Sequence, residues 1–215
     1  MGRYTGPREK IERRLGERLL LKGERSLSPK SAIVKKPYPP GMHGPVKKKR
    51  PKKMSEYGQQ LKSKQKVRNI YRILEKQFKN KVKSALASKN ENLYEAIVNK
   101  LEYRLDNVIY RMGVAQSRDQ ARQLVNHGHI LVNDRKVTIP SYEVKIGDEV
   151  EIREGSKKSA FFATLVPQWL EKYEVPAWVE IDKIRMVGRV KGYPTLDESG
   201  LNPNDLQAII EFYSR

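Results

Sequence analysis

The chain has 215 residues, and its 44 lysine and arginine residues against 25 aspartate and glutamate residues give a formal net charge of +19. The excess is confined to the first part, because residues 1–90 hold 27 basic and 6 acidic side chains whereas residues 91–215 hold 17 and 19. The absence of cysteine excludes disulfide bonds and thiolate zinc sites. A positive block of this size repels itself unless a polyanion neutralises it, so we expect a nucleic-acid partner.

A membrane surface is the competing polyanion. The basic segments alternate with proline and glycine rather than with a tryptophan, phenylalanine and leucine face, which disfavours it. No run approaches the roughly 18 apolar residues of a membrane span. The N-terminal sequence MGRYTGPREK has no apolar signal region, and Gly6 stands where a myristoylation site needs serine or threonine. We therefore expect a cytoplasmic protein with no membrane partner.

The first predicted helix lies within residues 1–22 and ends at Gly23. Apolar residues recur there at helical spacing, with arginine and lysine between them. The apolar positions are Ile11, Leu15, Leu19 and Leu20. The pattern predicts a helix with a cationic outer face.

A proline-rich arm is predicted for residues 24–53. Proline breaks helices, and the segment has too few large apolar residues to build a core. We expect it to be extended or disordered until a partner binds. A solvated linker is the alternative, but the basic run at residues 47–53 favours a segment that a partner orders.

One or two amphipathic helices are predicted from Ser55 to about Lys89, where apolar residues step by three and four. Their outer face carries many cations and almost no acid, although a solvated helix normally interleaves the two signs. We expect this face to lie on phosphates. A further helical series runs from Leu93 to Met112, and Gly113 ends it.

A compact α/β unit follows this series. Ser117 with Gln120 is the pattern of a capping box, which starts a short helix that ends at Gly128. Strands are then predicted on both sides of the turn NDRK and after Gly147. Beyond it we predict a helix in SAFFATLVPQWLEKY interrupted by proline, two strands in AWVEID and RMVGRVKG, and a last helix that Asn202 caps.

The short helix after Ser117 predicts a binding surface. Ala121, Leu124 and Val125 face inward, whereas Arg118 and Arg122 lie four residues apart on one outward stripe. Arginine, asparagine and histidine provide the directed donors and flat stacking groups that suit folded RNA. The side chains predicted to converge with the two arginines are Arg111, Gln123, His127, His129, Asn133, Arg135 and Lys136.

Three alternatives to an RNA surface are considered. His127 and His129 form a metal-like pair, but no third ligand is near in the sequence. A helix-turn-helix reader of DNA fits the two short helices, yet the second helix leads directly into a β-hairpin. Catalysis needs an acid, base or nucleophile in a cleft, and Asp106 and Asp119 are single carboxylates more simply explained as an ion-pair partner and a first-turn group.

Residues 104–152 resemble the S-four RNA-binding domain. The segments GRYTGP, YPPGMHG, SKQKVRNIYRILEKQF and IIEFYSR are similar, in order, to the rest of the bacterial small-subunit ribosomal protein S-four family. The resemblance implies an α+β fold with a mostly helical first domain, an inserted small α/β RNA-binding module and an extended basic N-terminal arm. The implied bounds are 1–54 for the arm, 55–100 completed by 195–215 for the helical domain, and 101–194 for the module with a C-terminal extension.

The resemblance also implies a function. The chain would bind 16S ribosomal RNA at a five-helix junction of the 5′ domain early in assembly, and would contact ribosomal protein S-five and thereby affect translational accuracy. Lys47, Lys48, Lys49, Arg50, Lys52 and Lys53 fall where relatives place arginines of the channel by which mRNA enters. Implied ribosomal RNA contacts outside the module are Arg3, Tyr4, Arg8, Lys10, Arg13, Arg14, Lys66, Arg68, Arg72 and Lys76.

The chain departs from many relatives at four zinc-binding cysteines of the arm. Glu9, Glu12, Ser26 and Ser31 stand at those places. Two carboxylates and two hydroxyls are a poor zinc set, so we expect no cofactor and a zinc-free arm. The leading hypothesis is a structural ribosomal protein. The alternatives are an RNA-modifying enzyme, for which the roughly sixty residues after 153 are short, and a factor that visits ribosomes transiently.

Overall fold

The computed structural model describes residues 2, 4–45, 54–88 and 92–214, which fold as two compact units. Residues 1–94 and 201–215 form the N-terminal unit, and residues 95–200 form the second unit. The α+β class is confirmed, since the chain is largely helical with one small antiparallel sheet in its described part. The predicted domain bounds were 54, 100 and 194, whereas the two units divide at 94 and 200.

The N-terminal unit is built from helices on both ends of the chain. The last helix packs along the fourth and also contacts the fifth. Tyr57 and Phe212 lie 5.7 Å apart between ring centroids, and Phe78 and Tyr213 lie 6.3 Å apart. The helices are α1 (Arg8–Leu15), α2 (Glu24–Leu27), α3 (Ala32–Lys35), α4 (Glu56–Ile70), α5 (Glu75–Ala87) and α12 (Pro203–Ser214).

The first helix is shorter than predicted. It ends at Leu15, and Gly16 adopts a left-handed conformation with φ 75°, which glycine tolerates without a Cβ clash. The chain then turns, so that Leu19 and Leu21 are buried while Leu20 is 43% exposed with φ 55°. The apolar spacing that suggested a longer helix belongs instead to a turn that closes over α1.

The arm prediction is wrong for residues 24–45. This stretch contains two helices of four residues each, α2 and α3, and it buries Ser26 and Ser31. Arg13 on α1 donates from Nε to the carbonyl oxygens of Lys36 and Tyr38 at 3.0 and 3.1 Å. Side chains of α1 therefore order part of the proline-rich segment without a partner. The basic run at residues 47–53 lies outside the described residues.

The second unit packs helices against a sheet whose described strands have the order β2-β1-β3-β5-β4 and are antiparallel throughout. Its core is a continuous cluster of buried apolar side chains from both helices and strands. The helices are α6 (Leu93–Glu102), α7 (Leu105–Arg111), α8 (Arg118–Asn126), α9 (Glu154–Lys157), α10 (Val166–Leu170) and α11 (Leu196–Ser199). The strands are β1 (Ile130–Val132), β2 (Arg135–Lys136), β3 (Glu149–Ile152), β4 (Val179–Asp182) and β5 (Val187–Val190).

Two helix predictions in this unit need correction. The series from Leu93 to Met112 breaks at Tyr103 and Arg104, because Arg104 is extended at ψ 135° and forms a bridge with Glu143. Pro167 does not interrupt its helix. It occupies the first turn of α10, where its missing N–H costs nothing, and a π-helical turn at Phe161–Leu165 leads into that helix.

Candidate nucleic-acid interface

The edge of the second unit is formed by α8 and the hairpin after it. Ser117 Oγ accepts a hydrogen bond from the Gln120 amide at 3.3 Å, as the capping pattern predicted. The Gln120 side chain does not return to Ser117 but accepts from the Gln116 amide at 2.9 Å. Ala121, Leu124 and Val125 are buried as predicted, which leaves the opposite face of α8 to solvent. The exposed side chains at this edge are Gln123, Asn126, His127, Asn133, Asp134, Arg135 and Lys136.

Positive groups gather at the C-terminal end of α8. The rings of His127 and His129 lie 6.0 Å apart, and His129 Nδ1 lies 2.9 Å from Ser156 Oγ. Partial burial, the His127 ring and the charges of Arg153 and Lys136 lower the pKa of His129. No carboxylate contributes to that shift. The geometry places these cations together at the hairpin, where Asp134 in the turn and Glu151 on β3 are their acidic neighbours.

Gly128 allows this arrangement. Its φ is +72°, and a Cβ there would lie 2.2 Å from Lys136 Cε and 2.9 Å from Lys136 Nζ. The lysine side chain therefore crosses directly over the glycine at the helix end. Lysine is favourable there, because the helix C-terminus carries partial negative charge.

Arg122 is not on the outward stripe, which corrects the prediction. It is 3% exposed, and its Nη1 donates to Asp106 Oδ2 at 3.2 Å. Arg104, 1% exposed, holds the same carboxylate through Nε at 3.0 Å and Nη2 at 2.7 Å. Burial lowers the pKa of Arg122 even though Asp106 opposes the shift. Arg122 is thus a packing residue of the module, since a buried guanidinium offers a phosphate no surface.

Two other predicted arginines are partly exposed but engaged within the unit. Arg111 forms a two-pronged pair with the buried carboxylate of Glu102 at 2.8 and 2.7 Å, and it also donates to the Ser199 carbonyl oxygen at 2.9 Å. Arg118 donates to Asn107 Oδ1 at 2.7 Å and stacks 4.4 Å over the Tyr110 ring. The structure brings both near α8 and holds each in a fixed orientation.

Asn133 shapes the hairpin turn. It has φ 48°, its Nδ2 donates to Asp148 at 2.9 Å, and its Oδ1 accepts from the Glu149 amide at 2.9 Å. Both ends of its amide are therefore used in joining the turn to β3. Asn133 orients the neighbouring Arg135 and Lys136, whose side chains are exposed.

The predicted contacts of the first helix lie on the N-terminal unit. Lys10 and Arg14 are exposed, and Arg8 and Arg13 are half-buried. Tyr4 is 45% exposed, and its carbonyl oxygen accepts from Arg72 Nη2 at 3.2 Å while its ring lies 5.5 Å from the same guanidinium. The structure thus brings together Tyr4 and Arg72, which are 68 residues apart. Arg3 lies outside the described residues.

The cationic face of α4 is better neutralised than predicted. Lys66 Nζ lies 2.7 Å from Glu17 and 2.8 Å from Asp205, and these two carboxylates, against the opposing effect of burial, raise the pKa of Lys66. Lys64 and Arg68 share Glu75 at 2.6 and 3.6 Å. These acids lie outside the helix and were invisible to its local spacing. On α5, Lys76, Lys79 and Lys83 are exposed and make no ion pair with any residue the structure describes.

Sequence reasoning missed three polar residues. Arg153, at the end of β3, joins the positive cluster through the pairing of β1 with β3. Gln65 and Asn69 lie one turn apart on α4 among its cations. The available signal was that Gln65 directly follows Lys64 and Asn69 directly follows Arg68, since residues i and i+4 share one face of a helix.

Three of the four residues that the resemblance sets against zinc ligands, Glu9, Glu12 and Ser26, are held by hydrogen bonds or an ion pair. Glu12 Oε1 accepts from the amides of Leu19 and Leu21 at 3.1 and 3.2 Å, and Glu9 pairs with Arg25 at 3.3 Å. Ser26 Oγ accepts from the Lys22 amide at 3.1 Å. Glu12 Oε2 and Ser31 Oγ are buried without a described partner. These donors do not fit zinc, because one carboxylate is held by a cation and the remaining free atoms are a single carboxylate oxygen and a hydroxyl.

Comparison with known proteins shows which family this chain belongs to. Residues 3–102 match the Ribosomal protein S4/S9 N-terminal domain, and residues 104–150 match the S4 domain. These matches define a ribosomal protein that carries an RNA-binding S4 domain. Proteins named small ribosomal subunit protein uS4 are similar over all 215 residues and over their own full length: 49% identical in Thermotoga petrophila, 47% in Natranaerobius thermophilus and 46% in Kosmotoga olearia. The chain belongs to the uS4 family of small-subunit ribosomal proteins. No described helix is both long and apolar enough to cross a membrane.

Proposed function

We propose that this chain is a structural component of the small ribosomal subunit that binds 16S ribosomal RNA directly at the five-helix junction of the 5′ domain and nucleates assembly there. It works in the cytoplasm, on the ribosome, without catalytic turnover. Phosphate neutralisation by the N-terminal unit supplies affinity, and the edge of the module around α8 reads RNA shape.

The observation that carries this proposal is unneutralised positive charge. Residues 1–90 hold 21 more basic than acidic side chains. Acids pair with the cations of α4, but Lys76, Lys79 and Lys83 on α5 face solvent without such partners among the described residues. Three lysines on successive turns of one helix match a row of phosphates and would repel one another in its absence.

We further propose that the chain contacts mRNA and ribosomal protein S-five. The basic run from Lys47 to Lys53 supports contact with mRNA where it enters the subunit, because mRNA phosphates attract such a run. The slight excess of acid in residues 91–215 supports a protein neighbour such as S-five on part of the second unit, and through it an effect on translational accuracy.

A salt series tests the RNA assignment. Binding to a 16S 5′-domain junction transcript is expected to weaken by about 10³–10⁵-fold between 50 and 200 mM salt if roughly six to ten phosphates are contacted. The protein is also expected to keep its preference for the junction over an unrelated RNA of equal length as salt rises. Equal affinities for the two RNAs that weaken together as salt rises would show that the protein binds RNA through charge alone, and they would overturn the proposal. Fewer than one copy per salt-washed small subunit would indicate a transient factor.

The positive cluster around His129 gives a pH prediction. The neighbouring cations and partial burial lower the pKa of His129 in the free protein. RNA phosphates would favour the protonated ring and raise that pKa, so binding takes up a proton. Affinity is expected to increase as the pH falls through the range of imidazole titration, about pH 7.5 to 5.5.

The measurement is junction binding at several pH values for the wild-type protein and His129→Gln, with His43→Gln as the control for a histidine on the arm. The pH dependence should be reduced in His129→Gln and retained in His43→Gln. A wild-type affinity that does not change with pH would exclude His129 from the RNA surface.

We also propose that the arm binds no zinc. The donors at Glu9, Glu12, Ser26 and Ser31 are oxygen atoms, most of which already serve hydrogen bonds or ion pairs. Zinc at one equivalent in elemental analysis of the purified protein would contradict this.

A further inference from the structure

A groove of about 720 Å³ opens on the N-terminal unit between α1, α4 and the segment that follows α4. This volume falls within the roughly 300–1,000 Å³ of pockets that hold small molecules and cofactors. No residue that the structure describes fills it. The residues that line it are Tyr4, Ile11, Arg14, Leu15, Met54, Gly58, Leu61, Lys62, Gln65, Arg68, Asn69, Arg72, Ile73 and Leu74.

The lining has two chemical parts. Ile11, Leu15, Leu61, Ile73 and Leu74 supply an apolar floor. Four cationic side chains also line the groove, and the lining holds no carboxylate; the cations are Arg14, Lys62, Arg68 and Arg72. Lys62 and Arg68 pair with Glu17 and Glu75, which lie outside the lining, at 3.9 and 3.6 Å. An apolar surface beside these cations suits a ligand that is flat and apolar on one side and anionic on the other.

Two amides on α4 add hydrogen-bonding capacity. Gln65 Oε1 accepts from Arg68 Nε and Nη2 at 2.9 and 2.6 Å, and Asn69 Nδ2 donates to the Gln65 carbonyl oxygen at 2.7 Å. The Gln65 Nε2 donor and the Asn69 Oδ1 acceptor have no partner within the described part of the chain. One donor and one acceptor a helical turn apart offer both kinds of hydrogen bond to the edge of a nucleobase.

We propose that this groove binds one unpaired nucleotide of the RNA, with its base against the apolar floor, its edge toward Gln65 and Asn69, and its phosphate beside Arg14. This inference rests on the proposed function and names a subsite within it. A duplex does not fit the chemistry, because its base edges are already paired and only an unpaired base can enter a pocket. Arg14 is exposed and makes no ion pair or hydrogen bond with any described residue, which leaves it able to bind a phosphate.

The groove is tested by filling it without changing charge. Leu61→Phe adds bulk to the floor, and Asn69→Ala removes the acceptor, so either variant remains informative if the other fails to fold by circular dichroism. The matched control is Leu27→Phe, because Leu27 is a 64% exposed leucine of the same unit that does not line the groove. Each full-length variant is measured against the 16S 5′-domain transcript and an unrelated RNA of equal length.

Leu61→Phe is expected to weaken junction binding by about 10-fold, because the larger ring occupies the space of the base, and to leave binding to unrelated RNA unchanged. Dimethyl sulfate and a carbodiimide, which modify unpaired base edges, should reveal one base protected by the wild type and Leu27→Phe but not by Leu61→Phe. An abasic residue at that position should weaken the wild type and not Leu61→Phe.

Wild-type preference for the junction with unchanged affinity in both groove variants would overturn the nucleotide site and leave the proposed function intact. A wild-type protein with no preference for the junction over the unrelated RNA would overturn the proposed function, and the nucleotide site that rests on it would fall as well. Equal losses on both RNAs would mean that the groove contributes nothing to the preference for the junction, which also overturns the proposal.

Discussion

Replacing Asp106 with asparagine is expected to lower the free energy of unfolding of the second unit by about 3–5 kcal/mol. The carboxylate is 5% exposed and binds both Arg104 and Arg122, which are 1% and 3% exposed. Asparagine keeps the size of the side chain but removes its charge. Two buried guanidinium groups would then lose the carboxylate they share, and only the charge of Asp119 would still act on Arg122. Removing one partner of a buried ion pair is much more costly than the loss of one surface ion pair.

The two tryptophans, Trp169 and Trp178, both lie in the second unit and make its unfolding measurable by fluorescence during urea denaturation. Asp134→Asn is the matched control, because Asp134 is an exposed residue of the hairpin turn. Its replacement is expected to change stability by less than about 0.5 kcal/mol. Equal effects of the two substitutions would show that the buried cluster does not stabilise the module.

Replacing Glu12 with alanine is expected to destabilise the N-terminal unit by about 1–3 kcal/mol for each of the two backbone amides it leaves unpaired. Glu12 is 1% exposed, and its Oε1 accepts from Leu19 and Leu21. These bonds hold the turn that buries both leucines against α1. The Glu12 carboxylate thus holds this turn by hydrogen bonding.

Hydrogen exchange of the Leu19 and Leu21 amides is the direct measurement, and both should exchange faster in Glu12→Ala. Glu24→Ala is the control, because Glu24 lies on α2 in the same unit and is exposed. Unchanged exchange in Glu12→Ala would contradict the role of the carboxylate. If a chelator accelerated the same amides in the wild-type protein, a bound metal rather than Glu12 would hold the turn.

Local features of the chain were predictable to the extent that they depend on neighbouring residues. The serine cap of α8 and the start of α12 at Pro203 follow from short-range hydrogen bonding and backbone preference. The turn predicted over NDRK is only Asn133 and Asp134, because Arg135 and Lys136 already form β2, and the strand predicted at Val137 and Ile139 is wrong. The uneven charge was visible in the same way. The resemblance of residues 104–152 to an RNA-binding module could also be seen in the sequence, because it depends on the order of such local features along the chain.

Errors arose where partners come from distant parts of the chain. The acid partners of Lys66 are Glu17 and Asp205, which lie far from it in sequence. The series around α1 had helical spacing, but Glu12 captures the amides of the following turn and the helix stops at Leu15. Spacing records which residues share a face and not which side chain will reach a given backbone amide.

By itself, the sequence determined that this protein is basic in its first half, free of cysteine, α+β in class and similar throughout to one ribosomal family, because composition, periodicity and motif order are properties of the chain alone. Only the tertiary structure decided which cations are available to a partner. Arg122, Lys66, Arg14 and Lys76 all carry one positive charge. Folding buries Arg122 and pairs Lys66 with Asp205, whereas Arg14 and Lys76 stay exposed. The physical reason is that burial and ion pairing depend on contacts between residues far apart in sequence, and these exist only once the chain has folded.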